Sequence, residues 1–175
     1  MKYATSILMA LATLWLGNGC TSEQIHPDTL PPIVFSLEYR NAAWVHQHNG
    51  VLFDESGRVY TFDLPVGWHM PDPQTGLIAG ELLAENRSKA VSTIQQVSST
   101  DWLRWQTDAA KAAGGMVTTP VNSANDMGSW VWSAYIPDTA TGLFRQILLE
   151  EAGDFSRENT SAAARRLVQR INHYR

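Results

Sequence analysis

The sequence IVFSLEYRNAAWVHQHNGVLFDESGRVYTFDL, residues 33–64, contains three segments in which apolar and polar side chains alternate. Alternation with a period of two is typical of half-buried strands. Between the second and third segments, Asp54-Glu55-Ser56-Gly57 suits a type I turn followed by a glycine at positive φ. Asn49-Gly50 favours a bend or bulge within the second strand. This stretch therefore predicts a three-stranded β meander.

Helical periodicity follows the meander. Apolar residues recur at helical spacing over residues 77–87. Ser98-Ser99-Thr100-Asp101 offers N-caps and a first-turn acid for a second helix that buries Trp102 and Trp105. Residues 90–97, between these helices, fit either a short strand or a helical segment. The chain then predicts a loop over 116–127, where proline and small polar residues are frequent.

The C-terminal part predicts a second hairpin and a last helix. Strands are expected at 129–136 and 143–151, joined by turn-forming residues, and the helix begins near Asn159 or Thr160. Strands grouped with strands and helices with helices predict an α+β fold. We expect one domain over residues 33–175, with a mainly antiparallel sheet of about five strands covered on one face by two to three helices.

Composition limits the classes of partner. The 175 residues are 44% hydrophobic, enough for one well-formed core, and the net charge is −4. Nucleic-acid-binding proteins usually carry a basic stripe, and the nearest basic cluster here is Arg165, Arg166 and Arg170. That cluster fits the solvated face of the last helix, so no nucleic acid partner is predicted.

The N-terminus has the layout of an export signal. Lys2 precedes an apolar run of 13 residues, Ala4 to Leu16, which Gly17-Asn18-Gly19 separates from Cys20. A helix needs about 20 apolar residues to span a bilayer, so a retained anchor is disfavoured. Residues 1–19 are therefore predicted to be a signal peptide that is removed.

Residues 1–22 resemble bacterial lipoprotein precursors, in which an apolar residue and two small residues precede the cysteine that becomes the mature N-terminus. Here Leu16 stands four residues before Cys20 rather than three. The resemblance implies a diacylglycerol on the Cys20 thiol and an acylated N-terminal amine. The alternative is an ordinary secretory signal cleaved at the same bond, which leaves Cys20, the only cysteine, as a free thiol.

Residues 20–32 contain the lipidated cysteine followed by a polar segment with three prolines, which predicts a tether. Thr21 after the cysteine resembles the outer-membrane sorting signal of lipoproteins in cells with two membranes. The predicted location is therefore the cell envelope, with the membrane as a partner through a lipid anchor.

The candidate polar site lies on the first two strands. His46 and His48 have the same parity, so their imidazoles can point to one side about 7 Å apart. A metal site would need a third ligand, for which Glu38 on the neighbouring strand is the first candidate and Asp63 and His69 are the next. The alternative is an exposed polar strand face, because two histidines without a second pair at ligand spacing are weak evidence for metal. No metal and no cofactor are predicted.

Tryptophans are the other noticeable feature. Trp130 and Trp132 share one strand face and could stack on sugar rings, but core packing is favoured because the same face continues with Ala134 and Ile136. Trp68 begins a proline-rich loop, residues 68–76, that could present an interaction surface or pack onto the sheet.

These observations predict a non-enzymatic lipoprotein that binds a protein or glycan of the envelope. One alternative is an envelope hydrolase with its polar centre at Glu38, His46 and His48. The other is a small secreted inhibitor of a lysozyme or protease, with Trp68 to Pro73 as its wedge.

Overall fold

The computed structural model describes residues 30–43 and 45–175. Cys20, most of the predicted tether and Trp44 lie outside the described residues. In the described part, nine strands form an antiparallel sheet in the order β5-β3-β2-β1-β7-β8-β9-β6, with β4 paired to β8. The elements are β1 (Phe35–Asn41), β2 (Gln47–Phe53), β3 (Arg58–Asp63), β4 (Leu77–Ile78), α1 (Gly80–Ser88), β5 (Val91–Gln96), α2 (Ser99–Ala112), β6 (Val121–Asn122), β7 (Ser129–Asp138), β8 (Leu143–Gly153), β9 (Phe155–Glu158) and α3 (Ala162–Ile171).

The predicted meander is confirmed in β1, β2 and β3, which pair antiparallel in sequence order. Gly57 has a φ of 79° in the turn between β2 and β3, and the Asp54 carboxylate accepts hydrogen bonds from the backbone of Ser56 and Arg58. The bulge predicted at Asn49-Gly50 is wrong. Both residues pair in register with β1 and with β3.

The predicted number of about five strands is wrong. The four further strands, β4, β5, β6 and β9, are two to six residues long. β4 falls where a helix was predicted to begin, β6 falls in a predicted loop, and β5 resolves the ambiguous segment 90–97 as a strand. The longer strands that pair with these short segments set their extended conformation. The short segments therefore need no alternation of apolar and polar residues of their own, and the sequence shows none that would predict a strand.

The prediction that helices cover one face of the sheet is also wrong. α2 and α3 pack on one face, whereas α1 and the loop before β4 cover the other, where Leu83 packs with Phe62 and Ile78. The reason lies in β2 and β7, which bury apolar side chains on both faces. On β2, Phe53 belongs to the core under α2 and α3, whereas Leu52 belongs to the core under α1. On β7, Trp132 and Tyr135 are divided between the two cores in the same way.

The two longer helices begin at serine caps. A cap within residues 98–101 is confirmed, and it is Ser98, whose side chain accepts a hydrogen bond from the backbone of Asp101. Ser161, rather than Asn159 or Thr160, caps α3. Trp105 packs edge-on against Phe35, with 5.7 Å between ring centroids. None of the helices in the described ranges is long and apolar enough to cross a membrane.

Candidate functional site

A buried carboxylate, Glu38, is the centre of a polar group on the face of β1 that α1 covers. Its side chain is 1% exposed. Oε2 accepts hydrogen bonds from Arg40, at 2.7 Å from Nη2 and 3.2 Å from Nε, and lies 2.9 Å from Nε2 of His48. Ser36 donates to Oε1 at 3.0 Å. Strand alternation puts Ser36, Glu38 and Arg40 on one face, and the register places His48 beside Arg40.

The environment of Glu38 fixes its charge. Burial alone would raise the pKa, but the Arg40 guanidinium and the hydrogen bonds from His48 and Arg40 outweigh it, and the pKa falls to about 2. Glu38 is therefore ionised throughout the neutral range. It holds Arg40 and His48 in fixed positions rather than exchanging protons with a ligand.

Trp68 covers this group from the loop after β3. Its ring stacks on Phe62 with centroids 4.5 Å apart and an interplanar angle of 23°. The His48 ring stands edge-on to both, at 5.1 Å from each. Trp68 thus packs onto the sheet as a half-buried wall, with His48 held between the aromatic rings and Glu38.

The loop that carries Trp68 is fixed by Asn86 of α1. The Asn86 side chain is buried, its Oδ1 accepts from the backbone N–H of His69 at 2.9 Å, and its Nδ2 donates to the His69 carbonyl at 2.7 Å. The His69 imidazole contacts the exposed Glu85 carboxylate at 2.6 Å. One amide side chain therefore satisfies both backbone groups of the residue next to Trp68.

Replacing Asn86 with alanine is expected to lower the free energy of unfolding by about 1–3 kcal/mol, because both backbone groups of His69 lose their partner. Glu85→Ala is the matched control. It removes only the exposed contact to the His69 ring, and its effect should stay within about 1 kcal/mol. Urea unfolding of both variants measures the difference. Equal effects would show that Asn86 does not anchor the loop.

A cleft of about 620 Å³ opens above the polar group, between the segment around β1–β2 and the loop after β3. Its lining combines cationic, amide, imidazole and apolar groups from Arg40, Asn41, Ala42, His46, Gln47, His48, Pro65, Gly67, Trp68 and Met70. Arg40 is partly exposed at its floor. Arg40 donates to Glu38 through Nε and Nη2. Its third donor nitrogen, Nη1, has no acceptor among the described residues.

The two segments that form the cleft expose four large apolar side chains. Val66 is 90% exposed, and Val45, Leu64 and Met70 are also exposed. Leu64 has a φ of 43°, a left-handed conformation that is strained for a leucine. Its backbone N–H donates to the carbonyl of His48 at 2.8 Å, which ties the strained residue to the strand below the cleft.

The structure brings together only part of the predicted site. Glu38 and His48 are in contact, and His46 and Trp68 line the cleft, with His46 exposed. Asp63 is exposed and His69 contacts Glu85 instead. Sequence reasoning missed Arg40. Its position two residues after Glu38 in a strand would have been enough to place both side chains on the same face.

The polar group is a poor site for a cation. The described residues contain no group of three or more histidine, cysteine, aspartate or glutamate side chains placed to hold a metal ion. Glu38, the acid of the polar group, already accepts from Ser36 and Arg40, and the guanidinium beside it would repel a positive ion.

The tryptophans of β7 do not form a sugar-stacking pair. Trp132 is buried in the core beneath α2 and α3, and its indole donates to Asn172 at 3.0 Å. Trp130 packs on that core, against Tyr39 at 5.1 Å, and the Arg175 guanidinium lies 3.9 Å from its ring centroid. Core packing therefore explains Trp132.

Comparisons of the chain with family models, with curated proteins and with solved structures give no match. Function is therefore inferred from the side chains of the cleft and from the predicted N-terminal signal.

Proposed function

We propose that this protein is a lipid-anchored, non-enzymatic binding module of the cell envelope, and that the cleft beside Trp68 binds an extended segment of another envelope protein. The observation that carries the proposal is the cleft itself, a concave surface with an apolar rim above a rigid cationic floor. Pre-formed clefts that combine apolar walls with a few fixed polar groups are the usual form of ligand sites.

The rim favours a protein ligand over a glycan. Met70 lines the cleft, and Val45, Leu64 and Val66 are exposed on the segments that form it. Together they offer aliphatic and thioether surface, which suits apolar side chains of a peptide. Sugar rings stack on free aromatic faces, and Phe62 already covers one of the two faces of the Trp68 ring. Nη1 of Arg40 can donate to a carbonyl or carboxylate of the bound segment, which would fix its orientation.

The two alternative functions have less support from the geometry. A hydrolase centre needs an acid or base that titrates near the working pH, and the pKa of Glu38 is about 2. An inhibitor wedge needs a projecting hot-spot side chain, whereas Trp68 is half-buried and packs against Phe62 and His48.

The binding proposal is tested with the double variant Val66→Asp/Met70→Asp, which places two charges on the rim. Wild-type protein should capture a defined envelope protein, and this variant should bind it at least about tenfold more weakly because charges are buried at an apolar contact. Ile94→Asp is the control, since Ile94 is fully exposed on β5, away from the cleft. Affinity is measured by calorimetry with the purified partner.

Two outcomes would contradict the proposal. Equal loss of affinity in Ile94→Asp would mean that added negative charge, not the cleft, weakens binding. Sedimentation of the wild-type protein with purified cell-wall glycan, abolished by the rim variant, would identify a glycan as the partner instead.

The lipid anchor is a separate part of the proposal, supported by the signal sequence and by Cys20 as the only cysteine. We expect mass spectrometry of the mature N-terminus to find a diacylglycerol and an acyl group on Cys20. Cys20→Ala should leave the precursor unprocessed or release the protein from the membrane, because durable attachment requires two or more acyl chains. A water-soluble, unmodified product that begins at Cys20 would exclude the anchor.

A further inference from the structure

A second concave surface lies between α2 and α3, on the opposite face of the sheet from the cleft. This groove, which we call the α2–α3 groove, has a volume of about 350 Å³. It is lined by Leu103, Arg104, Thr107, Asp108, Lys111, Arg166 and Arg170. Four of these seven side chains are cationic and one is acidic, in a chain whose net charge is −4. The groove is therefore positively charged although the protein as a whole is negatively charged.

Asp108 holds two arginines in fixed positions within the groove. Its carboxylate is buried and accepts from Arg166 Nη2 at 2.6 Å, from Arg166 Nε at 3.2 Å and from Arg170 Nη1 at 2.7 Å. One negative charge thus fixes two positive ones. The remaining N–H groups, Nη1 of Arg166 and both Nε and Nη2 of Arg170, donate to none of the described residues. Fixing these side chains in advance reduces the entropy lost when an anion binds.

Arg104 and Lys111 add positive charge from α2. Arg104 contacts Asp101 at 3.2 Å, but both side chains are more than half exposed, so solvent weakens this pair. Lys111 forms no ion pair with a carboxylate of the described residues. Counting Asp101 and Asp108 against the four cations, the groove retains two uncompensated positive charges.

We propose that the α2–α3 groove binds a phosphate-bearing anion. Guanidinium groups match phosphate oxygens with paired hydrogen bonds, and a lysine adds a point charge. A phosphate offers several acceptor oxygens to the four cationic side chains, more than a single carboxylate can. The phosphate can belong to a phospholipid headgroup or to a soluble compound. Leu103 is exposed at the groove, where it could contact an acyl chain.

The test uses the protein purified from its membrane in neutral detergent. Inorganic pyrophosphate is one probe, and phosphatidylglycerol mixed into the micelles, compared with phosphatidylcholine, is the other. Binding should raise the thermal unfolding midpoint at constant ionic strength, because a ligand of the folded state stabilises it. The double variant Arg104→Gln/Lys111→Gln should weaken calorimetric affinity about tenfold or more. These residues are chosen because removal of Arg166 or Arg170 would leave Asp108 underpaired.

Arg165→Gln is the matched control, since Arg165 is exposed on the same helix as Arg166 and does not line the groove. It should keep wild-type affinity. A response to pyrophosphate alone supports a soluble phosphate compound, and a response to phosphatidylglycerol supports a headgroup. The proposal is overturned if neither probe binds, if the double variant binds as tightly as wild type, or if Arg165→Gln weakens binding equally. The outcome is independent of the cleft.

Discussion

Replacement of Glu38 by alanine is expected to lower the free energy of unfolding by about 3–5 kcal/mol, because it leaves the partners of a buried charge unpaired. Arg40 would lose the carboxylate that accepts two of its hydrogen bonds, and His48 would lose the oxygen at 2.9 Å from Nε2. The same change should also loosen the floor of the cleft. Chemical denaturation measures the first effect and partner affinity the second.

Glu55→Ala is the matched control for Glu38→Ala. Glu55 also pairs with an arginine, Arg87, at 2.6 Å, but in this pair the carboxylate is 46% exposed. Solvent screens such pairs, so the control should change the unfolding free energy by no more than about 1 kcal/mol. A Glu38→Ala variant as stable as Glu55→Ala would show that the buried group does not stabilise the sheet.

The contribution of Glu38 also depends on pH. Its pKa is lowered from 4.5 to about 2 in the folded protein, so the folded state binds this proton less readily than the unfolded chain does. The stabilisation is therefore fully present above pH 4.5 and is lost as the pH falls toward 2. It amounts to roughly 3 kcal/mol for a shift of this size. The stability difference between wild type and Glu38→Gln should shrink across this range, and a constant difference would contradict the assignment.

Trp105→Ala is expected to lower the free energy of unfolding by about 3–5 kcal/mol, the usual range for a large aromatic side chain removed from a core. Trp105 is buried and contacts Phe35, Phe53 and Tyr174, with ring centroids 5.4–6.0 Å apart. Its removal opens a cavity between α2 and the sheet that the rigid β1 and β2 cannot close.

Leu103→Ala tests whether the effect of Trp105→Ala comes from burial. Leu103 is on the same helix but is exposed, so its loss should change stability by less than about 0.5 kcal/mol. Thermal and urea unfolding of the two variants give the comparison. Similar effects would mean that helix propensity in α2, rather than packing, determines the result.

The parts of the fold that depend on near neighbours in sequence were predictable. The turn at Asp54–Gly57 forms from its own side chains and glycine, and the Ser98 cap reaches a backbone group three residues away. The placement of Glu38 and His48 on one sheet face follows from strand alternation once the β1–β2 register, which pairs Arg40 with His48, is known. Arg40 followed from the same rule and was overlooked.

The parts that depend on distant residues were not predictable. β4, β5, β6 and β9 are extended because longer strands supply their hydrogen-bond partners, so their own residues need no strand pattern. Helices on both faces follow from the apolar residues that β2 and β7 bury on each side. The path of the Trp68 loop is set by Asn86, which bonds a residue 17 positions earlier.

By itself the sequence determined the meander, the capped helix α2 and the last helix, because each is specified by contacts within a few residues. It also predicts a lipoprotein signal, in residues that lie outside the described structure. Only the tertiary structure decided that Arg40, His48 and Trp68 meet around a buried Glu38 and that a cleft opens above them. The physical reason is that Glu38 takes its role from burial as well as from the charge of Arg40 two residues away, and the burial comes from segments far apart in the chain.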